Sequence, residues 1–132
     1  MRNALQTQEE ALIYFLELLD IDMIDTLLEN DRTYQDMEKH EFIRKLGYVI
    51  DDFLQAGDTK LIRRTGICDA VKCHFKCKGH TLTGDYSGMH IDLIIEKSEA
   101  GKVLDIYECI FFLPDGEEKT TSYQTRVKID RN

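Results

Sequence analysis

Residues 38–57 read EKHEFIRKLGYVIDDFLQAG, and this stretch decides the fold of the chain. Its large apolar residues recur at the spacing that places side chains on one face of a helix. They form a stripe of Phe42, Leu46, Val49 and Phe53, with Ile43, Ile50 and Leu54 beside it. Asp36 is a candidate N-cap, and Gly57 stands where a glycine commonly ends a helix. The stretch therefore predicts a long amphipathic helix over 38–56.

Upstream of this helix, the same spacing predicts two shorter helices over about 6–19 and 22–30. The apolar positions are Leu12, Phe15, Leu16 and Leu19 in the first helix and Ile24, Leu27 and Leu28 in the second. The polar sequence DID at 20–22 separates them. Asp20 or Asp22 can cap the second helix, because either side chain can accept a hydrogen bond from its first turn.

Downstream of Gly57, the apolar period changes to the two-residue alternation of strands. It predicts strands over 61–68, 80–83, 89–96, 102–113 and 120–129, with the turn sequences GDYSG, SEAGK and PDGEE between the later ones. Consecutive strands joined by short turns pair antiparallel. The segment 102–113 is apolar on both faces, which predicts a central strand with both faces covered. The whole pattern predicts an α+β fold whose antiparallel sheet curls around a helix.

This order of elements resembles the nuclear transport factor 2-like superfamily, which includes SnoaL-like cyclases and ketosteroid isomerase. The stretches that carry the resemblance are FLELLDIDMIDTLLENDRTY at 15–34 and VLDIYECIFF at 103–112. The resemblance implies a single domain over 1–132, with three N-terminal helices packed on a strongly curved antiparallel sheet, a cystatin-like cone. It also implies a conical pocket for a small molecule and a homodimer formed through the outer side of the sheet. Fold alone does not choose among the functions found in this superfamily.

The composition limits the partners. The 132 residues include 25 acidic and 17 basic side chains, a formal net charge of −8. Such a surface repels phosphate backbones and anionic headgroups, so we expect no nucleic acid and no membrane as partners. The N-terminal apolar positions are interrupted by Glu9, Glu10 and Glu17, whereas a signal peptide or a membrane span needs an unbroken apolar run. A cytoplasmic location is therefore predicted.

Cys68, Cys73, Cys77 and Cys109 raise the question of a metal site. On one straight strand, Cys73 and Cys77 would share a face but lie ~13 Å apart, too far for one zinc ion or one disulfide. The alternation of Cys73, Phe75 and Cys77 with polar residues fits a strand with an apolar inner face. Buried free thiols are therefore the preferred interpretation, with a zinc-stabilised interaction protein as an alternative, and no metal or other cofactor is predicted.

Three residues are candidates for acid–base chemistry. Glu108 stands among apolar residues of its strand, where desolvation raises the pKa of a carboxyl unless an arginine such as Arg63, Arg64 or Arg126 pairs with it. His90 and Asp92 share a strand face with side chains expected ~7 Å apart, too far for a direct hydrogen bond but able to flank a ligand, or to remain a solvent-facing polar pair. These residues could support a cofactor-free lyase or isomerase.

The leading functional interpretation is a binding domain for a small apolar molecule or peptide. Tyr14, Tyr34 and Tyr107 are the candidate ligand-binding residues, because each could point a phenol into the pocket. The lyase or isomerase that uses Glu108, with support from His90 and Asp92, is the alternative. An apolar pocket with one carboxyl of shifted pKa would favour the enzyme, and a filled cone would favour interaction through the sheet.

The state of the cysteines can be tested directly. Because their spacing along a strand separates them, we expect four reduced thiols and no bound metal in protein purified without a chelator. Thiol titration of the denatured protein and elemental analysis measure both quantities. One zinc ion per chain, lost together with structure in the Cys73→Ser or Cys77→Ser variant, would overturn this expectation.

Overall fold

The computed structural model describes residues 7–68, 78–108, 112–114 and 129. Its helices are α1 (Gln8–Glu17), α2 (Ile21–Leu27) and α3 (Lys39–Gln55). Its strands are β1 (Thr33–Tyr34), β2 (Met37–Glu38), β3 (Leu61–Cys68), β4 (Lys78–Gly84), β5 (His90–Lys97), β6 (Val103–Glu108) and β7 (Phe112–Pro114). The predicted α+β class is confirmed, since the described residues form three helices and an antiparallel sheet. Of the predicted strand over 120–129, all residues except Ile129 lie outside the described part.

The described strands form two sheets. β1 and β2 pair as a short hairpin, and the larger sheet has the order β6-β5-β4-β3-β7 with every neighbouring pair antiparallel. Within these strands, β6 pairs with β5 and β7 pairs with β3. The prediction of one central strand over 102–113 is therefore wrong, since this segment supplies the two opposite edges of the described sheet. Alternation reports which faces of a segment are apolar, but pairing partners depend on contacts distant in sequence.

The two sides of the larger sheet differ in chemistry. Residues directly opposite each other in paired strands share a side, so the register defines both. The side that packs on the helices, here called the helix-facing side, buries Leu61, Leu82, Ile91, Leu93, Ile95 and Ile106. These residues form one core with the stripe Phe42, Leu46, Val49 and Phe53 of α3. The other side, here called the outer side, carries Ile62, Thr81, His90, Asp92, Ile94 and Tyr107.

The first two helices begin at side-chain caps. The hydroxyl of Thr7 accepts a hydrogen bond of 3.1 Å from the amide of Glu10, which makes Thr7 the N-cap of α1, and donates one of 3.1 Å to the carboxylate of Glu10. Asp20 accepts a hydrogen bond of 3.1 Å from the amide of Met23 and confirms one of the two predicted caps of α2. Between the helices, Leu19 turns the chain in a left-handed conformation with φ of 56°.

The predicted N-cap of α3 is wrong, because that residue belongs to the short hairpin of β1 and β2. Gln35 and Asp36 are its two central residues and have φ of 53° and 63°, the signature of a type I′ turn. Asp36 is therefore a turn residue rather than the N-cap of α3. The N-cap is Glu38, whose side chain makes no capping hydrogen bond. Aspartate is favoured both in turns and at helix N-caps, because its short side chain forms hydrogen bonds with nearby backbone groups. The sequence alone therefore does not decide between these two positions for Asp36.

At the other end of α3, two aspartates connect the helix to the sheet. Gly57 has φ of 98° and ends α3 as predicted. The next residue, Asp58, accepts hydrogen bonds from the amides of Tyr86 at 2.8 Å and Ser87 at 2.7 Å, and from the Ser87 hydroxyl at 2.6 Å. In the opposite direction, Asp85 of the β4–β5 turn accepts from the amide of Thr59 at 2.9 Å and from its hydroxyl at 2.6 Å. We call this exchange of carboxylates the aspartate clasp.

The aspartate clasp limits which residue fits at Gly84 and lowers the pKa of Asp85. Asp58 is buried, and a Cβ added at Gly84 would lie 2.2 Å from one of its carboxylate oxygens, so only glycine fits there. The hydrogen bonds from the Thr59 hydroxyl and amide lower the pKa of Asp85. Because this pKa is lower in the folded protein than in the unfolded chain, the stabilisation is present at neutral pH and is lost as pH falls through the acidic range.

Removal of the buried half of the clasp tests its importance. The variant Asp58→Ala leaves two backbone amides without an acceptor, so we expect the free energy of unfolding to fall by about 2–4 kcal/mol. The control variant Asp51→Ala removes an exposed aspartate of α3 and should change it by less than about 0.5 kcal/mol. Urea unfolding monitored by circular dichroism measures both. Equal stabilities of the two variants would contradict a structural role for the clasp.

Candidate functional site

A cavity of about 550 Å³ lies between α1 and the larger sheet. Helix α1 contributes Glu9, Glu10 and Ile13, β5 contributes residues 94–97, and the other strands contribute Arg63, His80 and Tyr107. Within the described chain, the pairing of β4 with β5 ends at His80 and Leu93, although β5 continues to Lys97 beside β6. The cavity therefore lies where two neighbouring strands cease to pair, so residues from both sides of β5 line it.

The carboxylates of the cavity all have donors within the protein. Glu9 forms an ion pair with Lys97 at 2.9 Å, which joins α1 to β5. The carboxylate of Glu10 accepts a hydrogen bond from the hydroxyl of Thr7, the N-cap of α1. Glu96 lies 3.4 Å from the hydroxyl of Tyr107, a long hydrogen bond. The acidic side chains are thus engaged before any ligand arrives.

Tyr107 is one of the three predicted ligand-binding residues, and it lines the cavity with a side chain that is 43% exposed. Burial of part of the phenol raises the pKa of Tyr107 to about 12, and the carboxylates of Asp105 and Glu96 act in the same direction. Both carboxylates disfavour a negative phenolate beside them. The phenol is therefore neutral at physiological pH, and its one O–H is directed at the carboxylate of Glu96.

Tyr14 lines a second, smaller cavity of about 400 Å³. This cavity lies between the C-terminal half of α1 and the start of β3, and its lining includes Glu17, Lys60 and Ile62. Arg63 lines both cavities. Tyr14 and Tyr107 therefore do not share one pocket, and Arg63 is the residue common to their surroundings.

The third predicted ligand-binding residue, Tyr34, is a core residue. Its side chain is fully buried, and its ring packs against that of Phe42 with centroids 5.6 Å apart. The hydroxyl accepts a hydrogen bond of 3.1 Å from the amide of Glu29. Burial raises the pKa of Tyr34, although this hydrogen bond opposes the shift. Tyr34 lines neither of the two cavities described here, so its predicted contact with a ligand is not supported.

Glu108 lies on the helix-facing side of the sheet, directly opposite Leu93. Leu93 also pairs with His80 of β4, so Glu108, Leu93 and His80 lie in one row across the sheet, on the same side of it. The side chain of Glu108 is half-buried and has an interaction partner. Its predicted location among apolar strand neighbours thus agrees with the structure, and it follows the cavity-lining Tyr107 along β6.

His90 and Asp92 lie on the outer side, and both are buried. The ring nitrogen Nδ1 of His90 is 3.0 Å from Oδ1 of Asp92, which also accepts a 2.9 Å hydrogen bond from the hydroxyl of Thr81. The expected separation of ~7 Å is therefore wrong, because this distance describes the backbone and the two side chains lean together. The solvent-facing alternative is wrong as well. Since Glu108 lies on the other side, the three predicted catalytic residues do not meet in one site.

The described residues bear on two further kinds of site, metal sites and membrane spans. No group of three or more His, Cys, Asp or Glu side chains within them could hold a metal ion. Cys68 lies in β3, whereas Cys73, Cys77 and Cys109 fall outside the described residues, so the zinc alternative stays a prediction. None of the described helices is both long and apolar enough to cross a membrane.

Comparison of the chain with models of known protein families, with curated proteins and with solved structures finds no match. The resemblance to the nuclear transport factor 2-like superfamily therefore stays a prediction. The function has to be argued from the geometry of the chain itself.

The sequence reasoning missed Arg63 as a site residue. Arg63 enters the sequence-based predictions only as a possible partner for Glu108. The overlooked signal is the alternation that begins at Leu61: residues 61 and 63 share a side of β3, and Leu61 is buried in the core. That alternation places Arg63 on the helix-facing side.

The hydrogen bond between His90 and Asp92 predicts which ring nitrogen carries the proton. A carboxylate only accepts, so Nδ1 of His90 must be protonated and Nε2 left with a lone pair. Two-bond nitrogen–proton correlation spectra at about pH 9, where imidazoles are neutral, should show this tautomer in the wild type. We expect Asp92→Ala to shift His90 toward the other tautomer, while the exposed His40 is unchanged. An Nε2-protonated His90 in the wild type would contradict the geometry.

Proposed function

We propose that the chain binds a small apolar molecule in the cavity beneath α1. The observation that carries this proposal is the cavity itself, whose volume of about 550 Å³ is within the range of small-molecule sites. Its apolar lining comes from Ile13, Ile94 and Ile95, and the phenol of Tyr107 adds a polar group. Apolar walls with a few placed polar groups are typical of ligand sites. One or two side chains of a peptide would also fit this space.

The proposal includes a sheet that curls into the cone of the nuclear transport factor 2-like superfamily. A flat five-stranded sheet would hold its outer strands roughly 19 Å apart, since each inter-strand gap is about 4.8 Å. Only four peptide units connect Glu108 of β6 to Phe112 of β7, and they span at most about 14 Å. This limit supports a curled sheet, which would help to enclose a ligand.

The enzyme alternative now depends on Glu108 alone, because His90 and Asp92 lie on the other side of the sheet. A lyase or isomerase acting through this carboxylate stays a prediction. If it is correct, Glu108→Gln abolishes turnover of a carbonyl substrate while ligand affinity barely changes.

We also propose that the chain forms a homodimer through the outer side of the sheet. Ile62, which is 51% exposed, and Tyr107 place apolar surface there. The alternation of the sequence predicts that Cys109 and Phe111 share the face of Tyr107, but both fall outside the described residues. A monomer in sedimentation experiments at micromolar concentration would count against this association.

Ligand binding can be tested with an uncharged naphthalene fluorophore whose emission rises in apolar surroundings. The variant Tyr107→Ala removes a large part of one cavity wall, so we expect the Kd of the probe to rise about tenfold. Tyr48→Ala is the matched control, because Tyr48 is similarly exposed at 46% but lies on α3 and lines neither cavity. Equal effects of the two substitutions, or no binding to the wild type, would remove the proposed function.

A further inference from the structure

Among the described residues, Arg63 is a cation that has no counterion and lines the proposed site. It follows Leu61 by two residues on the helix-facing side of β3 and stands directly opposite the buried Leu82 of β4. Its side chain is exposed and makes no hydrogen bond or ion pair with the residues that the structure describes. In a chain with a net charge of −8, most cations can find an acidic partner. An arginine left unpaired in a cavity wall is therefore a candidate ligand-binding group.

The acidic residues of the cavity do not provide an equally good site for a cation. Glu9 is paired with Lys97, Glu10 accepts from the hydroxyl of Thr7, and Glu96 accepts from the hydroxyl of Tyr107. A cationic ligand would have to compete with these donors. An anionic group that approaches Arg63 breaks no ion pair among the described residues.

The charge and shape of the preferred anionic group follow from the single guanidinium that would bind it. A guanidinium presents a planar fork of N–H donors that matches the two oxygens of one carboxylate. A phosphate monoester carries nearly two negative charges and would meet three glutamates around the same cavity, which disfavours it. One guanidinium therefore suits a group with a single negative charge.

We propose that the cavity beneath α1 binds amphipathic monocarboxylates, with the carboxylate at Arg63 and the apolar body against Ile13 and Ile95. The apolar residues supply burial, and Arg63 supplies the preference for the acid over a neutral analogue. This inference rests on the proposed function, because it requires that the cavity binds a small molecule. It adds the chemical class of that molecule and the residue that selects it.

The experiment uses two probes that differ only in charge, a naphthalene carboxylic acid and the corresponding carboxamide. Each is titrated into the full chain and followed by calorimetry or probe fluorescence. We expect the wild type to bind the acid about tenfold more tightly than the amide, the order of magnitude of a partly solvated charge-assisted hydrogen bond. Arg63→Gln should remove this preference by weakening the acid, and should change binding of the amide by less than about twofold.

Arg64→Gln is the matched control, because it makes the same change in net charge one residue away on the outer side of β3. We expect it to keep the preference for the acid. Equal binding of both probes to the wild type, or a preference that survives in Arg63→Gln, would overturn the inference and leave the binding function standing. Failure of both probes to bind would remove the proposed function and this inference together. Circular dichroism of each variant verifies that the fold is retained.

Discussion

The position of the sheet beneath the helices depends on the aspartate clasp between the end of α3 and the β4–β5 turn. Asp58 and Asp85 lie 27 positions apart in sequence, and each accepts hydrogen bonds from the segment that carries the other. The clasp fixes where β3 begins relative to the turn that ends β4. Because β3 and β4 pair from Leu61 and Gly84 onward, the register of the sheet starts from this point. The placement of Arg63 and His80 follows from that register.

Features determined within one element could be predicted from the sequence. The stripe of α3, its end at Gly57 and the cap at Asp20 were all predicted, since each depends on neighbours a few residues away. Features determined between elements could not be predicted in the same way. The division of 102–113 between β5 and β3, and the use of Asp36 in a turn, depend on which surfaces meet in the folded chain.

In the candidate site, too, features determined within one strand could be predicted from the sequence, and features determined between strands could not. Alternation along β6 was sufficient to predict an apolar setting for Glu108, and alternation along β5 placed His90 and Asp92 together. Alternation could not show that Glu108 lies on one side of the sheet and the pair His90 and Asp92 on the other. This depends on the pairing of Leu93 with Glu108. Nor could it predict the cavity, which exists because the pairing of β4 with β5 ends before β5 does.

The ion pair between Glu9 and Lys97 has a consequence for how long a ligand would stay. Lys97 is more than half exposed, and an ion pair of this kind contributes at most about 1 kcal/mol. Breaking this ion pair therefore adds little to the free-energy barrier for release of a ligand, compared with the loss of apolar contacts within the cavity. The residence time of a bound molecule would then be set by the apolar area that the molecule itself buries in the cavity, and not by the ion pair.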